Sequence, residues 1–154
     1  MNITEHNTLE LNNVLSYRGK ITPRTMPEVI ENMNLFIRSE HASKKGPVVT
    51  ATYGMELENG DPVADVEILI PMDKKINSSS EYSYKPLFKL CDAVKLRHCG
   101  APEQLQTSAD ELMGYIHSNH LQPITTGYNI AVSPSESSSD LIVDMYVGVS
   151  RNIL

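Results

Sequence analysis

Tryptophan is absent from this chain of 154 residues, and phenylalanine and cysteine occur twice each. Any aromatic cage would therefore have to be built from tyrosines such as Tyr53, Tyr128 and Tyr146. Cys91 and Cys99 stand eight residues apart near one expected strand, far from the Cys-x-x-Cys spacing of redox or zinc sites, and read as reduced structural residues. Long apolar runs are missing too: no window approaches the run of about 18 residues that a membrane-spanning helix needs. The first residues, Met1 to Asn7, lack the basic start and apolar stretch of a secretory signal, which predicts a soluble, cytoplasmic protein without a membrane partner. Basic residues are in deficit, 13 Lys and Arg against 19 Asp and Glu for a net charge of −6, and they are scattered. Phosphate binding needs them clustered, so direct contact with nucleic acid is not expected.

What remains is globular, with 40% hydrophobic and 21% charged residues. A chain of this length buries about 70% of its unfolded surface in one domain without metal or disulfide. No phosphate loop, nucleophile elbow or metal-ligand spacing is present, and no cofactor is implied. His117 and His120, three apart beside an expected helix, read as a solvated helix end rather than as metal ligands.

The chain repeats itself at about half its length. Pro27-Glu28, Gly46-Pro47-Val48-Val49 and Val66-Glu67-Ile68-Leu69-Ile70 return as Pro102-Glu103, Gln122-Pro123-Ile124-Thr125 and Val143-Asp144-Met145-Tyr146-Val147, at offsets of 75, 76 and 77. Such regularity indicates an internal duplication. The repeats run over about 12–72 and 85–150 within a single domain, 1–154, and a polar connector over 73–84 can hardly hold a core element.

Each repeat reads β-α-β-β. In the first, a strand over Leu11 to Thr22 stops at Pro23; Thr25 and Glu28 fit a capping box; and Met26, Val29, Ile30, Met33, Phe36 and Ile37 form one helical apolar stripe. Strands follow at Val48 to Gly54 and Ala64 to Ile70, around the turn Glu58-Asn59-Gly60-Asp61-Pro62. In the second, strands fall at Phe88 to His98, Ile124 to Val132 and Leu141 to Val149, with a helix from about Pro102 to Asn119 whose stripe is Leu105, Ala109, Leu112, Met113 and Ile116. The segment Ser133 to Asp140 reads as a solvated hairpin loop. The fold class is α+β, an antiparallel sheet with two helices on one face.

Strand alternation sends Val66, Ile68 and Ile70 to one face and Asp65, Glu67 and Leu69 to the other. In the last strand Val143, Met145, Val147 and Val149 share the apolar side, leaving Asp144 and Tyr146 opposite. The apolar side is where the helices must pack. The mixed face is either the wet side of the sheet or the wall of a cleft between the halves. In a cleft, an acid would want a cation, a hydrogen-bonding ligand or an arginine, and Arg18 and Arg97 are the internal partners to consider.

On these residues, together with the turns Tyr17-Arg18-Gly19 and Arg97-His98-Cys99-Gly100, the chain resembles the gyrase-inhibitory-protein-like domain over roughly residues 12 to 150. That domain also forms the effector-binding half of bacterial multidrug-responsive transcription activators. The resemblance implies an aromatic-lined ligand cleft between the halves, with an acid two residues before a tyrosine meeting cationic or amphipathic compounds. Here those positions are Asp144 and Tyr146, with Gly148 where a proline is common. About a dozen residues precede the matched region, so the expectation is a stand-alone binder rather than a complete DNA-binding regulator.

The reading is therefore a bacterial, cytoplasmic domain that binds a small cationic or amphipathic organic molecule through Asp144, Glu67, Tyr146, Tyr128 and Tyr53. Two alternatives stand beside it. One is an accessory or protective protein with a protein partner; the other is a small-molecule hydrolase using Glu67, Asp144, Tyr128 and Tyr146 in proton transfer.

Overall fold

A computed structural model describes residues 2–132 and 141–152, and the expected hairpin loop at 133–140 lies outside them. The element order is β1 (Ile3–Ile21), α1 (Met26–Ser39), β2 (Val49–Glu58), β3 (Asp61–Pro71), β4 (Ser83–Gly100), a 3-10 turn (Pro102–Gln104), α2 (Leu105–Ser118), β5 (Gln122–Val132) and β6 (Leu141–Ser150). The class is α+β with antiparallel pairing, as expected. By contacts the chain falls into two compact units: Glu10–Phe88, and the residues up to Leu9 together with those from Lys89 onward.

In the first unit β3 is paired on both sides, with β1 (Tyr17 opposite Ile68, Arg18 opposite Glu67) and with β2 (Ala51 opposite Glu67). Val66, Ile68 and Ile70 of β3 pack with Leu15 of β1 against Met33 and Ile37 of α1, and Met26, Val29, Ile30 and Phe36 complete the same cluster. The helical stripe is thus the core face, each buried aliphatic side chain contributing about 1.5–3 kcal/mol. The two-residue turn Asn59-Gly60 has φ of 51° and 84°, the left-handed pair a tight hairpin requires.

The second unit repeats the scheme. β6 lies between β4 (Arg97 opposite Asp144) and β5 (Ile130 opposite Asp144). Val143, Met145, Val147 and Val149 pack with Val94 and Leu96 against Leu112 and Ile116 of α2.

Four sequence expectations need correction. Thr25 caps α1 without a side-chain bond to the helix, because its hydroxyl is engaged with Thr22: it accepts from the Thr22 N–H at 3.0 Å and donates to the Thr22 carbonyl at 3.2 Å. No capping box with Glu28 forms. The segment before β4 does hold core residues: Ile76 and Tyr82 are buried in the first unit, Tyr82 lies 4.9 Å from the Phe36 ring, and Ser79 accepts the Tyr82 N–H at 3.1 Å to turn it inward. Met113 is exposed, because Tyr115 takes the flank of the α2 core instead. Finally, β1 begins at Ile3 rather than Leu11. Ile3 packs on the second unit's core, the Arg97 N–H donates to the Asn2 carbonyl at 3.1 Å, and the Tyr115 hydroxyl donates to Glu5 at 2.6 Å.

Candidate functional site

On the strand face opposite the helix, each unit carries one buried carboxylate. Glu67 sits at the middle of β3, 7% exposed, with Leu69, Val49 and Ala51 buried around it. Its Oε2 accepts from Ser16 Oγ at 2.7 Å and from Lys85 Nζ at 2.7 Å, and its Oε1 accepts from the Tyr53 hydroxyl at 3.0 Å. Ser16 comes from β1, Tyr53 from the irregularity between Thr52 and Gly54 in β2, and Lys85 from the start of β4. Arg18, directly opposite Glu67 in register, pairs with Asp65 at 3.0 Å and lies 3.8 Å above the Tyr53 ring. It is not the partner of Glu67. The shorter reach of the Lys85 ammonium fills that place, and the guanidinium gains a ring face on which to stack.

Asp144 on β6 is 6% exposed. Arg97 clamps it with two bonds, Nε to Oδ1 at 2.7 Å and Nη2 to Oδ2 at 2.9 Å, the bidentate geometry that a planar guanidinium matches. Lys95 Nζ stands 3.6 Å from Oδ2 and 5.7 Å from the Tyr146 ring centre. Tyr146 lies between Lys95 and Tyr128 in the register, so Asp144, Tyr146, Tyr128, Arg97 and Lys95 share one sheet face.

The electrostatics follow from these contacts. For Glu67, burial pushes the carboxyl upward, but hydrogen bonds from Lys85 and Ser16, the Lys85 charge and the Tyr53 hydroxyl outweigh it and hold the group below its ordinary value. For Asp144, the Arg97 hydrogen bonds lead; they overcome burial with help from Lys95 and keep this carboxyl low as well. Both acids are ionised and supplied with donors at neutral pH, which makes either a poor proton donor. The partner cations reach water: the Lys85 side chain is 39% exposed and that of Arg97 45%.

Of the residues singled out by sequence, Glu67 and Tyr53 meet in one group, and Asp144, Tyr146 and Tyr128 lie in the other unit. Arg97 takes the role expected of it. Sequence reasoning missed Ser16, Lys95 and Lys85. The first two were within reach, since each stands two residues before an arginine and so on the same strand face. Lys85 carried no such signal, because it stands just after the segment read as connector and before the strand expected from Phe88.

No protein-family model matches the chain, and no curated protein matches it in sequence. Solved structures do match. The EcmrR C-terminal domain superposes with a TM-score of 0.72 at 13% identity, covering 99% of this chain and 100% of that one. EcmrR in a complex with DNA superposes at 0.76 and 13% identity over 97% of this chain, which spans 58% of the EcmrR chain. An uncharacterised conserved protein from Listeria innocua gives 0.67 at 12% identity, covering 97% and 92% of the two chains. The chain thus shares its fold with these structures, the α+β fold that the sequence resemblance implied.

Proposed function

We propose that the chain is an effector-binding module that takes a small cationic or amphipathic organic molecule at a buried carboxylate, with Asp144 as charge anchor and Tyr128 and Tyr146 as aromatic walls in one unit, and Glu67 as charge anchor beside Tyr53 in the other. The observation that carries this reading is the partnership of each buried acid with side-chain cations that themselves reach solvent. A buried carboxylate is costly unless paired, and here its pairing is exchangeable at the outer end. On Glu67 a single ammonium, that of Lys85, occupies the place a ligand ammonium would take, beside the Ser16 and Tyr53 hydroxyls. Tyrosine faces add attraction for a desolvated cation of about 2 kcal/mol or more. The likeness to the EcmrR C-terminal domain supports the same reading.

A thermal-shift screen against quaternary amines, cationic dyes and neutral amphipaths tests it, with Asp144→Asn and Glu67→Gln alongside. A ligand that binds only the native state stabilises it by about 2.7 kcal/mol at a hundredfold excess over Kd. A cation-selective shift that disappears in the variant of the acid that anchors the ligand is the expected result. Equal shifts in both variants would remove the electrostatic anchor, and a flat response to every compound would turn the question to a protein partner.

A further inference from the structure

A second constellation lies on the helix side of the second unit. We propose that Ser108 and His98 form a nucleophile and base pair that accepts an acyl group from small neutral carboxylic esters. This site shares neither carboxylate with the binding reading above and stands without it.

His98 is 4% exposed near the end of β4. Its Nδ1 is 2.7 Å from Ser108 Oγ, and its Nε2 is 3.1 Å from the Ala101 carbonyl oxygen. A carbonyl can only accept, so the network assigns the proton to Nε2 and the lone pair of the neutral ring to Nδ1, with the Ser108 hydroxyl donating to it. A nucleophile, a base within hydrogen-bond reach and a third group that fixes the ring are the parts an activated serine requires. Gly100, at φ 152°, folds the chain so that the Ala101 carbonyl returns to the ring three residues on; a Cβ there would come within 3.4 Å of Gln104 Oε1.

Ser108 is half-buried in the first turn of α2, whose start carries no side-chain cap. The positive end of that helix favours negative charge developing beside the hydroxyl. A cavity of about 400 Å³ opens at this point, lined by His98 and Ser108 with Arg97, Gln104, Thr107 and Glu111. That is room for a small ester.

The chemistry balances without an added reagent. Ser108 Oγ attacks the ester carbonyl carbon and its proton passes to His98 Nδ1. The bond to the alcohol oxygen breaks, and the leaving alkoxide takes that proton. Water then attacks the acyl-serine, giving a proton to Nδ1 and from there to Ser108 Oγ as the acyl bond breaks, which releases a carboxylic acid.

Incubation of the full chain with p-nitrophenyl acetate is the test, with peptide mapping by mass spectrometry. The expected result is a stoichiometric burst of p-nitrophenolate and an acetyl group on Ser108, both lost in Ser108→Ala while that variant still unfolds cooperatively. His98→Gln should slow acylation by about 100-fold or more. A serine that only satisfied the buried ring would leave no covalent trace. Acetyl found on Cys91, Cys99 or lysines but not on Ser108 overturns the proposal, as does Ser108 acylation undiminished in His98→Gln. If that variant does not fold, diisopropyl fluorophosphate decides: labelling of Ser108 in the folded protein and not in urea supports the pair, and equal labelling in both refutes it.

Discussion

Ser16 and Lys95 hold the same station in the two halves, each two residues before an arginine and each directed at its own unit's buried acid, yet one is a neutral hydroxyl at 2.7 Å and the other an ammonium at 3.6 Å. The consequence is a difference in local charge. Around Asp144 two cations face one carboxylate, whereas at Glu67 a single ammonium is matched by the acid.

The first expectation concerns that imbalance. Asp144→Asn keeps the shape but leaves Arg97 and Lys95 without their acid, and should cost about 2–3 kcal/mol in urea unfolding, since bonds to charged groups are worth this much. Lys95→Met, at a looser distance, should cost less than about 1 kcal/mol. The opposite ranking would mean that the Lys95 contact, not the Arg97 clamp, holds β6 to β4.

At Glu67 the three donors share the load. Ser16→Ala should lower stability by about 1 kcal/mol, the ordinary worth of one hydrogen bond, because Lys85 and Tyr53 still serve the carboxylate. Ser16→Ala combined with Lys85→Met should exceed the sum of the two single changes, as the acid is then left with Tyr53 alone. Strict additivity in a double-mutant cycle would contradict the shared-donor picture.

Acid sensitivity follows in sign from both carboxylates. Each is held below its ordinary value, 3.8 for Asp144 and 4.5 for Glu67, by its native contacts. The stability each supplies is therefore complete above those values and is lost as pH falls through the lower folded-state ones. Urea midpoints measured from neutral pH downward should hold steady to about pH 5 and then decline. The decline should be shallower in the double variant Asp144→Asn, Glu67→Gln. An identical slope would show that other groups govern acid unfolding.

Gly114 offers a gain. It lies inside α2, and a Cβ built there meets nothing within 4 Å. Gly114→Ala should stabilise the protein by about 1 kcal/mol from helix propensity alone. That corresponds to a rise in Tm of roughly 2–4 °C for a chain of this size. No rise in a calorimetric scan would point to a role for the glycine that contacts do not reveal.

Much of this was legible in the chain. Alternation in Val66 to Ile70 and in Val143 to Val149 separates helix-facing residues from those bearing Glu67 and Asp144, and the stripe from Met26 to Ile37 marks the α1 core face. Such signals survive because they are local and periodic. The donors around Glu67 were harder to see. Lys85 reaches it from a different strand across a gap in sequence that no period spans, and Tyr53 is aimed by a strand irregularity that shifts the register. Ile76 and Tyr82 were hidden for a similar reason, since two apolar residues among serines and lysines make no pattern until a turn brings them onto α1. The pairing of His98 with Ser108 required the turn at Gly100.

The long first strand has a practical meaning for anyone who would dissect the chain. Its opening residues, Ile3 to Leu9, belong with the second unit, and the strand from Ser83 to Phe88 belongs with the first. Scissors placed at the seam read from sequence, between 73 and 84, would deprive one fragment of Lys85 and the other of Ile3 and Glu5, so each half would need a piece of its sibling restored in trans. Complementation between two such fragments, tuned by the length of the segment each lends, makes this chain a candidate split reporter whose reassembly is written into its opening strand.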